Sequence, residues 1–217
     1  YPDMTNASRA IKASEVETCR KAGVNDIIEV KVGYDGITVA NAKNGPKFAL
    51  TRRDLYLALA REVPNPASPG KLIANPHRTW NQVNPALPPE RIEVLGPPPT
   101  SGTRDAFVEL VMQPGCATVP WIARLRDTDE AAFRRTCDAM REDGAYIEAG
   151  ENDNLIVQKL IANPRAVGIF GFSFLEENLN RLKGATVEGV APTFENIASG
   201  AYTVSRPLYV YAKAAHV

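Results

Sequence analysis

The stretch Ile27–Ala42, "IIEVKVGYDGITVANA", alternates apolar and polar residues and is rich in Val and Ile, the signature of a β-strand. At sixteen residues it is long for one strand, and Tyr34-Asp35-Gly36 reads as a glycine-containing interruption. A strand bent at that point passes from one domain to another. The rest of the chain reads outward from it.

Upstream, "ASEVETCRKAGV" (13–24) predicts a short helix, with Ser14 as N-cap, Glu17 three residues on and Gly23 at the stop. Downstream, "TRRDLYLALAREV" (51–63) places Leu55, Leu59 and Val63 at helical spacing behind Thr51 as N-cap, with Pro64 ending the helix. Residues 64–99 hold most of the prolines, together with Trp80 and a strand in "RIEVLG". Trp and Leu are poor linker residues, so this predicts an ordered, irregular loop over a domain surface. Helices follow in "TRDAFVELVM" (103–112), "DEAAFRRTCDAMRE" (129–142) and "NDNLIVQKLIANP" (152–164). "AVGIFGFSFLEENLNRL" (166–182) reads as a buried strand entering a helix, "PTFENIASG" (192–200) as a capped short helix and "RPLYVYAK" (206–213) as a strand. Strands alternate with helices throughout, which predicts an α/β class.

Composition narrows the function. In 217 residues Lys+Arg and Asp+Glu are both 25, so no global field draws nucleic acid or an anionic membrane, and any anion site must be local. No apolar run approaches the roughly 20 residues of a membrane span. Cys19, Cys116 and Cys137 show neither C-x-x-C spacing nor a histidine close in sequence, which argues against a zinc site. The histidines are His77, in the proline-rich stretch, and His216, so a Ser-His-Asp triad has no convincing base.

Between "RIEVLG" and the next helix lies "GPPPTSGTRDAF" (96–107). A strand–loop–helix reading puts Ser101, Gly102 and Thr103 at a helix N-terminus, where unpaired N–H groups and about half a positive charge favour an anion. Gly102 admits close approach to the backbone, the hydroxyls add donors, and Arg104 offers a planar fork to a tetrahedral oxyanion. Alone the motif is weak, since Ser and Thr cap many helices. A P-loop is excluded, because no Lys follows the glycine at the required spacing. A second cluster, Asn6, Ser8 and Arg9 in "NASRAIK", precedes the first helix and equally suits a solvated turn.

Taken together and in order, "NASRAIKASE", "VGYDGITVA", "SGTRDAF", "AVGIFGFSFLEEN", "GVAPTFENIASG" and "SRPLYVYAK" resemble the phosphate-binding proteins of bacterial phosphate ABC importers, type II periplasmic solute-binding proteins. The resemblance implies a two-lobed α/β fold with the ligand in the cleft between lobes, and no catalytic role, cofactor or metal. Residues 1–36 and 172–217 would form lobe I, and residues 37–171 lobe II. It implies that Ser101, Gly102 and Thr103 contact phosphate and that Ser8 and Arg9 supply the turn from the other lobe. Pro97 and Pro99 stand where many members carry an Arg and an Asp, leaving Arg104 as the candidate for the ligand's charge.

Further expectations follow from the resemblance: a periplasmic location, inorganic phosphate and a membrane ABC permease as partners, no nucleic acid, and a monomer when complete. Lobe I is expected to lack its first strand and loop, leaving an exposed edge prone to self-association. Cys116 and Cys137 would bridge within lobe II and Cys19 would pair with a cysteine in the absent segment. Two alternatives remain open: a binding protein for sulfate or molybdate, and an enzyme acting on a phosphate-containing substrate on the same scaffold.

Overall fold

The computed structural model describes residues 3–7, 9–150 and 152–214. Among them the main sheet has seven strands: β1 (Met4–Ala7), β2 (Ile27–Ala42), β3 (Val94–Gly96), β4 (Tyr146–Glu148), β5 (Val167–Gly171), β6 (Leu182–Gly184) and β7 (Ser205–Lys213). The order is β1-β7-β2-β5-β3-β4, and β6 pairs with the far end of β2. Antiparallel pairs build the β1-β7-β2-β5 side, whereas β3 lies parallel to both β4 and β5.

The long strand is not interrupted. What changes along it is its partner: residues 27–36 pair with β7, and residues 37–41 pair with β5. The irregularity in this pairing is a bulge at Val32 of β2, where adjacent Leu208 and Tyr209 stand opposite Gly33 and Lys31. Gly36, at the changeover, is required by packing, since a Cβ there would stand 2.5 Å from Cδ1 of Ile197 on the short helix Phe194–Ala198.

Burial changes at the same place. No residue from Ile27 to Asp35 is buried, while Gly36–Ala42 are buried throughout. In this second half Ile37 and Val39 join a large core that contains Leu55, Trp80, Phe107 and Ile122. Ala40 joins a smaller cluster with Ile156, Leu160 and Phe170. The strand is therefore covered on both faces there, and Thr38, fully buried, satisfies its hydroxyl by donating to the Phe170 carbonyl at 2.9 Å.

Several helical boundaries differ from expectation for identifiable reasons. The first helix is Ala13–Lys21 with Lys12, not Ser14, at the N-cap, because the Glu15 carboxylate accepts the Lys12 backbone N–H at 2.8 Å. Thr51 does cap the helix Arg52–Leu59, accepting from the Asp54 N–H. That helix ends at Ala60 rather than Pro64: Ala60 turns extended to bridge Met140, and Pro64 belongs to a two-strand ribbon of Glu62–Pro64 and Leu72–Ala74. Trp80, 0% exposed and edge-on to Phe48 at 5.3 Å, pins the proline-rich stretch into the core.

The helix after Ser101 runs further than its sequence suggests. It is α-helical over Gly102–Phe107, widens into a π-turn over Val108–Met112, and resumes over Gln113–Cys116. In the wider turn Gln113 donates to the Val108 carbonyl, five residues back. The segment thereby passes through Pro114, which has no N–H to give. Its end is fastened by a Cys116–Cys137 disulfide to the helix Glu130–Cys137, a link that stabilises by about 2–4 kcal/mol. A further helix, Pro120–Thr128, was not expected from the sequence. No helix among the described residues is long and apolar enough to cross a membrane.

Candidate anion-binding site

The site is built from the end of β3. Gly96 closes that strand where a Cβ would meet the Tyr146 hydroxyl at 2.4 Å, and this hydroxyl donates to the Pro97 carbonyl at 2.6 Å. Burial pushes the Tyr146 hydroxyl above its ordinary pKa, so it remains a donor. The three prolines then stiffen the turn, which the Ser101 N–H closes onto the Pro98 carbonyl at 3.0 Å. Ser101 stands extended at the N-cap, and its Oγ accepts the Thr103 N–H at 3.2 Å.

This is a capped helix start with an exposed first residue. Gly102 is exposed, and a Cβ placed on it would meet no heavy atom within 4 Å. Its freedom therefore serves neither packing nor a positive φ, and leaves the backbone open to a ligand. A helix start of this kind can receive an anion on its first-turn N–H groups.

Arg104 is already engaged. Its guanidinium lies 4.6 Å from the centre of the Tyr146 ring and donates to the Pro97 carbonyl at 3.4 Å, bracing the loop from which it springs. A different cation stands over the helix start: Arg206 of β7, whose Nη2 is 3.4 Å from the Gly102 carbonyl and whose Nε is 3.6 Å from Oδ2 of Asp35. Arg206 and Asp35 face each other in register on β7 and β2, one residue before the partner change. Burial raises the Asp35 carboxyl above its ordinary pKa, with Arg206 opposing the shift. Asp153, also raised by burial, accepts the Gly171 N–H at 3.5 Å and feels the Asp35 charge. Sequence reading missed Arg206 and Asp35 because their meeting depends on strand register across 171 positions.

The second predicted cluster is only partly described. Ser8 lies outside the described residues. Arg9 holds Glu15 with two prongs, at 2.9 and 2.6 Å, and its nearby charges include Glu109 on the helical segment that begins at Gly102. His77 is held by Asn75 at 3.0 Å, and its carbonyl accepts from Arg141. No cluster of metal-ligating side chains occurs among the described residues.

Hollows also open on the surface among the described residues. One, of about 690 Å³, lies beside the first helix and includes Met4, Arg9, Cys19 and Tyr211. Another, of about 450 Å³, includes Tyr34, Asp35, Phe172 and Phe194. Ser101–Arg104 line neither. Volume and donor chemistry point to different places, and the donors are the better guide, since a tetrahedral oxyanion needs converging N–H and O–H groups rather than a large hollow.

With this geometry in view, a family model described as a PBP superfamily domain matches residues 2–217. The chain belongs to that superfamily. It is 30% identical over 215 residues to Protein SphX of Synechococcus elongatus, a match covering 96% of this chain and 53% of that protein. It is equally 30% identical to the phosphate-binding protein PstS of Staphylococcus saprophyticus, with 96% and 54% covered. Among solved structures, a possible phosphate binding protein from Planctomyces limnophilus superposes with a TM-score of 0.68 at 28% identity, over 98% of this chain and 64% of that one. The fold is that of type II periplasmic binding proteins. The chain spans about half the length of the curated relatives it matches.

Proposed function

We propose that this superfamily member captures inorganic phosphate at Ser101, Gly102 and Thr103 and delivers it to a membrane ABC permease from outside the cytoplasm. The observation that carries the reading is the helix start after β3: a proline-stiffened turn, a Ser cap and a glycine with open space over its backbone. Relatives named phosphate-binding proteins match nearly the whole chain, which supports phosphate as the oxyanion. In this reading residues 1–36 and 172–217 form lobe I, residues 37–171 form lobe II, and the partner change in β2 marks the crossing between them. Arg104 holds the loop in shape and adds charge beside the anion, while Ser8 and Arg9 approach from the opposite lobe. The protein works as a receptor with no catalytic step.

Calorimetric titration of the chain with phosphate, sulfate and molybdate tests the assignment, carried to millimolar anion so that weak binding registers. Phosphate should bind in preference to the other two. Thr103→Val removes a hydroxyl donor from a desolvated anion and should weaken phosphate by about 1.5–3 kcal/mol, or tenfold and more. Equal affinity in that variant removes Thr103 from the site, and stronger binding of sulfate or molybdate replaces phosphate as the ligand.

A further inference from the structure

We infer that Arg206 is a second anion-contacting charge of this site, held ready by Asp35 at the point where β2 changes partners. The inference rests on the anion site proposed at Ser101–Thr103 and adds to it a residue from a distant strand.

Three observations carry it. The Arg206 side chain is 17% exposed, yet its contacts are long: 3.4 Å to the Gly102 carbonyl and 3.6 Å to Asp35, with a buried Nε that makes no hydrogen bond. A guanidinium carries five N–H donors, and leaving them under-used in a mostly buried place is unfavourable unless something else occupies them. Second, Gly102 is the first helical residue, so a side chain touching its carbonyl stands beside the first turn, where the unpaired N–H groups are. An oxyanion received by those groups comes within reach of the same guanidinium. Third, Arg104 is turned to the Tyr146 ring and the Pro97 carbonyl, whereas Arg206 touches the first helical residue itself.

Asp35 explains how such a cation is tolerated without ligand. It compensates the charge at 3.6 Å, too far for a strong two-pronged pair, so that Arg206 can turn toward an anion without breaking a good bond. The consequence is mechanical as well as electrostatic. Arg206 and Asp35 lie on β7 and the first half of β2, whereas Ser101–Thr103 follow β3 on the other side of the partner change. An anion bridging them ties the two parts of the sheet together.

The test compares the chain with Arg206→Gln, Arg206→Lys and Thr103→Val, titrating each with inorganic phosphate and melting each without it. The expected result is phosphate binding in the unaltered chain and a loss of about tenfold or more in Arg206→Gln, at an unchanged ligand-free melting temperature. Arg206→Lys should recover part of the loss, since it restores a point charge without the fork. Should Arg206→Gln fail to fold, Arg206→Lys decides alone: a several-fold loss supports the inference, and full affinity overturns it. If Thr103→Val weakens binding and Arg206→Gln does not, Arg206 is a structural clamp on Gly102 and only this inference falls. If the unaltered chain binds no phosphate, the proposed site falls first and takes the inference with it.

Discussion

Ile28, Val30, Val32 and Tyr34 alternate along the first half of β2 much as Ile37 and Val39 do along the second, yet the former are 38–59% exposed and the latter 0%. One strand, with one local pattern, lies in two environments. Alternation specifies that a strand forms, because period-2 side chains need a face to bury. It does not specify what arrives to cover that face. For the second half the cover is remote in sequence: Leu55, Trp80 and Phe107 on one side, Ile156 and Phe170 on the other.

The largest expected effect tests that difference directly. Ile37→Ala removes a side chain packed on all sides and should cost about 2–5 kcal/mol, whereas Val30→Ala, half-exposed, should stay within about 0.5 kcal/mol. Denaturant unfolding of both variants gives the numbers. Similar losses would mean that the first half of β2 is covered in solution, and the contrast drawn from burial would fail.

Ion pairs sharpen the comparison at a smaller scale. Beside the large core, Arg141 is 2% exposed on its side chain and donates to the Ala58 and His77 carbonyls and to both oxygens of Asp143, which Arg78 also holds. The hydrogen bonds from Arg141 first, and then from Arg78, hold the Asp143 carboxyl well below the usual carboxylate range. On the open side Arg9 pairs with Glu15 with both side chains in water, and the hydrogen bond from Arg9 brings Glu15 down to about 2. Both shifts have the same sign. A carboxyl depressed in the folded state stabilises above its unfolded pKa of about 4 and loses that contribution as pH falls through the acid range.

The magnitudes should differ. Asp143→Asn strands a buried guanidinium, but Asp143 itself is 39% exposed and partly screened, so about 1–2 kcal/mol is expected at neutral pH. That gap should narrow as pH drops below about 4, because the unfolded chain then takes up a proton at Asp143 that the folded state resists. Glu15→Gln should not shift stability measurably at any pH, because solvent and salt screen its pair. Urea unfolding from pH 7 to pH 3 checks both, and a pH-independent gap for Asp143→Asn would assign its effect to geometry rather than charge.

The same contrast explains what the sequence made legible. Signals contained in a few residues were readable: the Thr51 cap with Asp54, the Ser101 cap, and Asn163 closing the helix Asp153–Ala162. The helix start that forms the candidate site was among them, since cap, glycine and prolines lie within seven positions. Boundaries fixed by distant partners were not. The helix after Thr51 stops at Ala60 because that residue bridges Met140, eighty positions on, and the helix after Ser101 continues through Pro114 by widening into a π-turn. Arg206 escaped notice for the same reason, being distinguished from the other arginines only by what stands around it in the fold.

The smallest energetic effect is expected where the open face of β2 is most exposed. Val32 is 59% exposed and Val30 49%, and with Ile28 they form an exposed apolar run around the bulge in the strand. Replacing Val32 with Thr keeps the β-branched shape that suits a strand and removes a methyl group from water, so unfolding free energy should change by no more than about 0.5 kcal/mol. Association should respond more than stability does. A contiguous apolar face is attractive to a second copy of itself, and each Val→Thr exchange lowers that attraction without touching the core beyond Gly36. Sedimentation at increasing protein concentration should show the native chain self-associating and a Val30→Thr, Val32→Thr double variant doing so less, with both unfolding at nearly the same urea concentration. If the native chain stays monomeric at high concentration, the exposed face is not adhesive, and the contrast between the two halves of β2 is confined to folding energy.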